Sequence, residues 1–429
     1  MPSQLEGSQA VAATVARCRP EVICAYPITP QTHIVEGLSR MVAAGELAPC
    51  EFVNVESEFA AMSVAIGASA TGARAYTATA SQGLLYMAEA LFNAAGLGLP
   101  IVMTVANRAI GAPINIWNDH SDSMALRDCG WIQLYAADNQ EAADMHVQAF
   151  RLAEQLSLPV MVCMDGFVLT HAFEPLEVPE RERIDAFLPP FAPRQVLDPA
   201  DPVTIGAMVG PEAFTEVRYL AHAKQMDALD AIPAIAEEFE RAFGRSSGGL
   251  LSGYRCEDAE TVVVALGSVL GTLEEVIDRM RDEGRRVGAL AVKSFRPFPL
   301  AELRAALARA QRVIVLERAF AVGVGGILSA DVHAALAGLP RARGGDRDDE
   351  DAVEMHTVIA GLGGRAITRR SLRSMIDDAD AGLLPTLHFM DLNSEVVQRE
   401  LARSRGGGRP GPHAENILRD LGLVAAGPV

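Results

Sequence analysis

The chain is predicted to be an α/β protein, a parallel sheet covered by helices followed by a second, smaller α/β unit. Three observations predict this. Through the first 165 residues short β-branched runs alternate with amphipathic segments over brief links, a pattern that packs as a parallel sheet with helices on both faces. Hydrophobic residues make up 49% of the chain and aromatics only 5%, which suits an aliphatic α/β core and argues against disorder. The same alternation restarts at Thr261-Val262-Val263-Val264, after Gly248, Gly249 and Gly253. A length of 429 residues is itself more than one ordinary domain holds.

Taken in order, strands are expected at 21–26, 51–54, 73–77, 100–105, 132–135 and 159–164, with helices at 7–18, 31–43, 57–70, 82–95 and 140–157. The first of these strands ends abruptly at Tyr26-Pro27-Ile28-Thr29-Pro30. Each proline lacks a backbone donor and pushes its predecessor towards extended geometry, and the second can open the next helix. Eight prolines between Pro175 and Pro211 mark an extended connector laid over the surface or a neighbour, followed by a polar helix at about 212–243. The second unit should have strands at 261–266, 287–292, 312–316 and 356–360, and helices at 271–283 and 327–337. Gly323, Gly325 and Gly326 precede the last helix but miss both Gly-rich phosphate fingerprints, so close helix–strand packing is expected there. Residues 341–351 are densely charged and read as a disordered loop; a Gly, Pro and Arg-rich tail follows, with one short helix near 414–421. The expected division is 1–250, 255–395 and a tail 396–429.

The formal charge of −18 disfavours nucleic acid and anionic membrane surfaces as partners. No apolar run approaches the roughly 20 residues of a membrane span, and Met1-Pro2-Ser3-Gln4-Leu5-Glu6 lacks the basic and apolar regions of a signal peptide. A cytoplasmic protein is expected. The six cysteines, at 18, 24, 50, 129, 163 and 256, form no C-x-x-C pair, so reduced, mostly buried thiols are expected and no iron–sulfur or zinc motif. The scattered histidines, among them His120, His146, His171 and His333, read as surface or capping groups.

Four loops leaving strand ends carry the polar residues of interest: Thr29; Glu56-Ser57-Glu58; Thr79-Ala80-Ser81-Gln82-Gly83; and Asn107-Arg108. In a parallel sheet such loops emerge on one edge, where ligands bind. The strand order is not written in the sequence, so their convergence is an expectation. Glu58 opens an apolar helix; it is either a dipole partner for that helix or a carboxyl group set to bond a heterocyclic nitrogen. Arg108 is either half of an ion pair or a bidentate clamp for a substrate carboxylate. Thr29 is either a turn residue or a substrate-facing hydroxyl.

The runs Tyr26-Pro27-Ile28-Thr29-Pro30, Val55-Glu56-Ser57-Glu58, Thr77-Ala78-Thr79-Ala80-Ser81-Gln82-Gly83-Leu84, Ala106-Asn107-Arg108-Ala109-Ile110-Gly111-Ala112-Pro113, Ile114-Asn115-Ile116-Trp117-Asn118-Asp119-His120-Ser121-Asp122 and Arg127-Asp128-Cys129-Gly130-Trp131 resemble the α subunit of the 2-oxoacid:ferredoxin oxidoreductases, nearest to the pyruvate branch. The resemblance covers about residues 3–395. It implies a parallel-sheet thiamine diphosphate pyrimidine-binding domain followed by a transketolase C-terminal-like α/β domain, with Arg296-Pro297-Phe298-Pro299 fitting the latter. It implies that Glu58 bonds N1′ of the aminopyrimidine and favours the tautomer that removes the thiazolium proton. Arg108 then binds the 2-oxoacid carboxylate, Thr29 helps hold the substrate, Ile28 lines its pocket beside Ile110 and Trp117, and Pro27 lies against the cofactor.

No Gly-Asp-Gly metal motif is present, and Met164-Asp165-Gly166-Phe167 looks like an end-of-strand turn. The resemblance therefore implies thiamine diphosphate shared with a β subunit that carries the diphosphate and Mg2+ site. Further γ and δ (ferredoxin-like) subunits would hold [4Fe-4S] clusters, with CoA and ferredoxin as co-substrates and no metal held by this chain alone. Branched-chain or aryl 2-oxoacids are the competing substrates, and a non-catalytic scaffold subunit is the competing class. A free-standing nucleotide-binding oxidoreductase would need a G-x-G-x-x-G turn, which is missing.

Overall fold

Seven strands build the larger sheet, in the spatial order Ser294–Arg296, Ile132–Tyr135, Val160–Asp165, Val102–Asn107, Ala75–Thr79, Val22–Ala25, Glu51–Asn54. The computed structural model describes residues 3–337, 353–406 and 413–423; the charged segment 341–351 lies outside the described residues. All neighbours in this sheet run parallel except the first pair. The strands Ala75–Thr79, Val102–Asn107, Ile132–Tyr135 and Val160–Asp165 are buried along their whole length. That is why they are mostly apolar along their length, with buried polar residues such as Thr77, Thr104 and Gln133 among them, and do not alternate with charged residues. Glu51–Asn54, at the edge, is partly exposed throughout.

The order decides where a site can form. From Val22–Ala25 the chain passes to Glu51–Asn54 on one side, then returns to Ala75–Thr79 on the other. Strand order reverses there, and open α/β sheets bind ligands in the crevice beyond the carboxyl ends at such a point. The loops carrying Thr29, Glu58, the Thr79–Gly83 run and Arg108 all leave the four adjacent strands on that edge.

The second sheet has six strands, in the order Leu387–Phe389, Glu354–Ile359, Arg312–Glu317, Thr261–Ala265, Val287–Val292, Leu251–Tyr254, the last antiparallel. One apolar cluster spans both sheets, joining Met103, Val105 and Trp131 to Val262, Leu290, Val313 and Phe295. A second cluster lies under the helices Gly7–Arg17, Asn139–Leu156 and Phe214–Phe243, where Val11, Phe150 and Phe239 are fully buried or nearly so. Asp138 caps Asn139–Leu156 by accepting from the Glu141 amide at 2.7 Å.

Several features differ from the sequence expectation. Ser294–Arg296, within the range 255–395, leaves its own unit and adds antiparallel to Ile132–Tyr135. Ser3–Glu6 pairs antiparallel with Phe173–Leu176 at the start of the Pro-rich connector; Pro175 is tolerated because this ribbon has only two strands. The helix expected over 82–95 is two helices, Ser81–Tyr86 and Ala88–Leu97. Within 396–429, expected as a tail with one short helix, Ser394–Arg405 is also helical; it packs on His413–Asp420, with Arg403 3.1 Å from Asp420. Local Gly and Pro content hid that pairing. His120 and His146 are fully buried, not surface groups. Burial pushes His146 down to about 4, and its ring bridges Thr104 and the Ala142 carbonyl. Among the described residues no helix is long and apolar enough to cross a membrane.

Candidate functional site

The loop after Val22–Ala25 is held by a buried amide. Gln31 donates through Nε2 to the Tyr26 carbonyl at 2.8 Å and to the Ala78 carbonyl of the neighbouring strand at 3.2 Å. The intervening residues stay on the surface: Pro27 and Thr29 are exposed and Ile28 is half-buried. Gly166, just past Val160–Asp165, lets this loop approach the end of that strand, across two intervening strands of the sheet, since a Cβ there would lie 2.7 Å from Pro30 Cγ.

Glu58 is the first residue of the helix Glu58–Ala70, whose N-cap Ser57 accepts from the Ala60 amide at 3.2 Å. Its side chain is 8% exposed, yet no donor among the described residues bonds its carboxylate. Gly83 makes room for it. A Cβ at Gly83 would fall 2.6 Å from both Glu58 Oε1 and Thr79 Oγ1. The Thr79 hydroxyl is itself buried without a partner. Buried polar groups normally have partners, so an unbonded carboxylate and hydroxyl side by side over a glycine form a cradle for a polar, flat ligand. The donor chemistry of an aminopyrimidine ring fits that cradle.

Arg108, 8% exposed, is positioned by backbone carbonyls and not by an acid. Its Nη1 donates to the Thr29 carbonyl at 2.9 Å and its Nε to the Asn115 carbonyl at 3.1 Å. Burial lowers its proton affinity, although Asp122 opposes this; an arginine remains charged all the same. Five N–H groups with two spent on these bonds leave an edge for an incoming anion.

Asp122 ties these loops together, and sequence reasoning missed it. Its Oδ2 accepts from the amides of Ser81 (2.9 Å) and Arg108 (3.0 Å), and its Oδ1 from Asn107 Nδ2 and the Ser123 amide (both 2.8 Å). Complete burial pushes its carboxyl up to about 6 against those four donors. Asp122 stands in a polar stretch, Asn118 to Ser123, with nothing local to set it apart, so only the fold could show its role.

A second polar knot joins the two units. Asp165, at the end of Val160–Asp165, faces His120 Nε2 and Arg318 Nη1, each at 2.6 Å, and accepts from the Ser268 amide at 2.9 Å. Burial would raise the Asp165 carboxyl, but Arg318 and His120 together hold it well below the usual carboxylate range. The segment read as an end-of-strand turn is one, and its Asp165 also anchors the second unit. Likewise the amides of Ile327, Leu328 and Ser329 all donate to the buried Glu317. The Gly323–Gly326 loop thus closes on an internal carboxylate, and Gly326 has no room for a Cβ against it. Cys18, Cys24, Cys129 and Cys163 are buried, and burial pushes the Cys129 thiol up to about 12, away from reactivity. Among the described residues Glu6, His33 and His171 bring ligand atoms within 4.8 Å. Glu6 and His33 already pair at 2.6 Å, His171 Nδ1 bonds the Thr170 hydroxyl at 2.8 Å, and the two imidazole rings lie 4.7 Å apart at a 33° tilt, so the trio has its partners without an ion.

Residues 13–238 match the family described as pyruvate flavodoxin/ferredoxin oxidoreductase, thiamine diphosphate-binding, and residues 259–372 match pyruvate:ferredoxin oxidoreductase core domain II. Among relatives, pyruvate synthase subunit PorA of Methanosarcina barkeri is 48% identical over 400 residues, 92% of this chain and 97% of that one. PorA of Pyrococcus furiosus is 42% identical over 382 residues, 88% and 93% of the two chains. Ketoisovalerate oxidoreductase subunit VorA of Pyrococcus horikoshii is 39% identical over 375 residues, 87% and 92%. A solved structure of 2-oxoglutarate:ferredoxin oxidoreductase from Magnetococcus marinus shares the fold, with a TM-score of 0.67 at 21% identity over 88% of this chain, which spans 65% of that one. An edge cradle built on Glu58 and Gly83, an arginine held by carbonyls, and sequence identity along nearly the whole chain lead to one assignment: the chain belongs to the pyruvate flavodoxin/ferredoxin oxidoreductase family.

Proposed function

We propose that this chain is the α subunit of a thiamine diphosphate-dependent pyruvate:ferredoxin oxidoreductase. The overall reaction takes pyruvate and CoA to acetyl-CoA and CO2, passing two electrons singly to ferredoxin, and is reversible. The observation that carries this reading is the buried, unbonded carboxylate of Glu58 over Gly83. Thiamine diphosphate, when bound, supplies the nucleophilic carbon and the electron sink for decarboxylation. Glu58 would hold its aminopyrimidine nitrogen and share a proton with it. Pro27 would lie against the same ring. Arg108 would clamp the substrate carboxylate through its free guanidinium edge, with the Thr29 hydroxyl beside it and Ile28 shaping the pocket for a small acyl group. The low exposure around Glu58 and Arg108 strengthens both interactions by excluding water.

The proposed division is a pyrimidine-binding domain over 1–250 and a transketolase C-terminal-like domain over 255–395. A β subunit would hold the diphosphate and Mg2+, with γ and δ subunits carrying the iron–sulfur clusters; the missing Gly-Asp-Gly motif supports this. The similarity to a VorA chain favours, as a second reading, the same chemistry on 2-oxoisovalerate. Turnover of the purified complex with pyruvate, 2-oxoisovalerate and phenylglyoxylate, followed by ferredoxin reduction, tests the substrate. A higher kcat/KM for either rival would replace pyruvate. Calorimetry on the isolated chain should find weak or no thiamine diphosphate binding; tight magnesium-dependent binding would overturn the shared site.

A further inference from the structure

The second α/β unit sends one tight turn, Gly361-Leu362-Gly363-Gly364, against the loop that follows Arg108. Asn115 Nδ2 donates to the Gly363 carbonyl at 3.1 Å, and the Gly363 amide donates to Asp119 Oδ2 at 3.1 Å. Within the loop, Asn115 Oδ1 accepts from the Trp117 amide at 2.7 Å. The side chain of Asn115 is thus bonded at both ends, and its backbone carbonyl is the one that receives Arg108 Nε.

The turn is built for this approach. Gly361, Gly363 and Gly364 have φ of +68°, +58° and +81°, a region in which other residues are strained. A Cβ at Gly363 would lie 2.4 Å from Asn115 Nδ2, and one at Gly364 would lie 2.4 Å from Trp117 Cβ. Conformation and contact therefore both require glycine at 363 and 364. Nothing else in the second unit bonds to Asn115 among the described residues, so the register of this turn sets where the Asn115 carbonyl stands.

Resting on the reading of Arg108 as the carboxylate clamp, we infer that Asn115 is a positioning residue for substrate: it carries the placement of the Gly361–Gly364 turn to the guanidinium. The second unit then sets the affinity for the 2-oxoacid without touching it. An arginine fixed through Nε and Nη1 by two carbonyls on different loops, at 29 and 115, can point its remaining edge in only one direction. Loosening one carbonyl lets the plane swing, which weakens the carboxylate contact in the ground state and the transition state alike. Such a loss appears in KM and much less in kcat.

The test uses the assembled complex and three variants. Asn115→Ala removes both side-chain bonds but keeps the backbone carbonyl, and KM for pyruvate should rise roughly 5- to 30-fold, the loss of one to two hydrogen bonds, with kcat within about threefold and KM for CoA unchanged. Gly364→Ala should reproduce the pyruvate-specific rise by displacing Trp117. Arg108→Lys is the reference, since it removes the clamp's fork. Should Arg108→Lys raise KM while Asn115→Ala and Gly364→Ala do not, the positioning role is refuted and the clamp stands. An unchanged KM in Arg108→Lys would refute the clamp itself. An equal rise in KM for CoA, or a fall confined to kcat, would mean general damage and overturn the inference. If Gly364→Ala does not assemble, Asn115→Asp decides: it keeps the Trp117 acceptor but repels the Gly363 carbonyl, and the pyruvate KM must still rise.

Discussion

Arg108 and Thr29, 79 residues apart, meet through the guanidinium Nη1 and a backbone carbonyl at 2.9 Å. The contact joins the ends of two strands separated in the sheet by Ala75–Thr79. It uses the peptide group of Thr29, an exposed residue whose hydroxyl this contact leaves unused. Because no carboxylate among the described residues pairs with the arginine directly, its charge remains available to a ligand, and the consequences are open to measurement.

Glu58→Gln in the assembled complex should cut turnover by about two orders of magnitude or more, the worth of a positioned proton-transfer group. It should not lower the melting temperature, because no donor among the described residues loses a partner. Unchanged turnover would favour the scaffold reading.

Gly83→Ala should push the Glu58 carboxylate aside, since the new methyl would sit 2.6 Å from Oε1. Losing a charge-assisted bond of about 1.5–3 kcal/mol predicts roughly 10- to 100-fold weaker thiamine diphosphate binding by the complex. Binding within twofold of wild type would remove Glu58 from the cofactor site.

Asp122 carries a pH signature. Its folded value, pushed up to about 6 by burial, lies above an unfolded value of about 3.9. The folded state then holds more protons between those limits, so this group's contribution is complete below about pH 4 and is lost as pH rises through about 6. Asp122→Asn should abolish that slope in urea unfolding of the full chain. At neutral pH the variant should be less stable by about 1–3 kcal/mol, because an amide N–H₂ would face amide donors.

Arg318→Ala removes one partner from the buried Asp165. Stranding that carboxylate with His120 and Ser268 should cost about 3–5 kcal/mol. As the Asp165 carboxyl is held below its unfolded value, its stabilising contribution is present at neutral pH and is lost as pH falls below about 4. The wild-type chain should thus lose more stability on acidification than the variant, measured by thermal melts at about pH 5 and about pH 2, on either side of that window.

Local pattern made much of this legible. The inner strands of the first sheet are buried on both faces and so are mostly apolar, with only short polar residues such as Thr77 and Thr104 within them. The prolines at 27 and 30 stop a strand and start a helix wherever they stand. Thr29 stands out as a candidate because it lies in that proline break, and Glu58 and Arg108 because each follows a strand end. The helix Ser394–Arg405 and the strand Ser294–Arg296 were not legible, since their partners, Asp420 and Ile132–Tyr135, lie elsewhere in the chain.

By itself the amino-acid order determined the elements, their alternation and the chemical types waiting at their ends, because periodicity and backbone breakers act over a few residues. Only the tertiary structure decided which ends became neighbours. Strand order placed the reversal between Val22–Ala25 and Ala75–Thr79, brought Gly83 under Glu58, gathered four donors on Asp122 and set the Gly363 turn against Asn115. Most of those contacts are made between atoms tens to hundreds of residues apart, whose approach depends on the packing of the whole core and leaves no periodic trace in the chain.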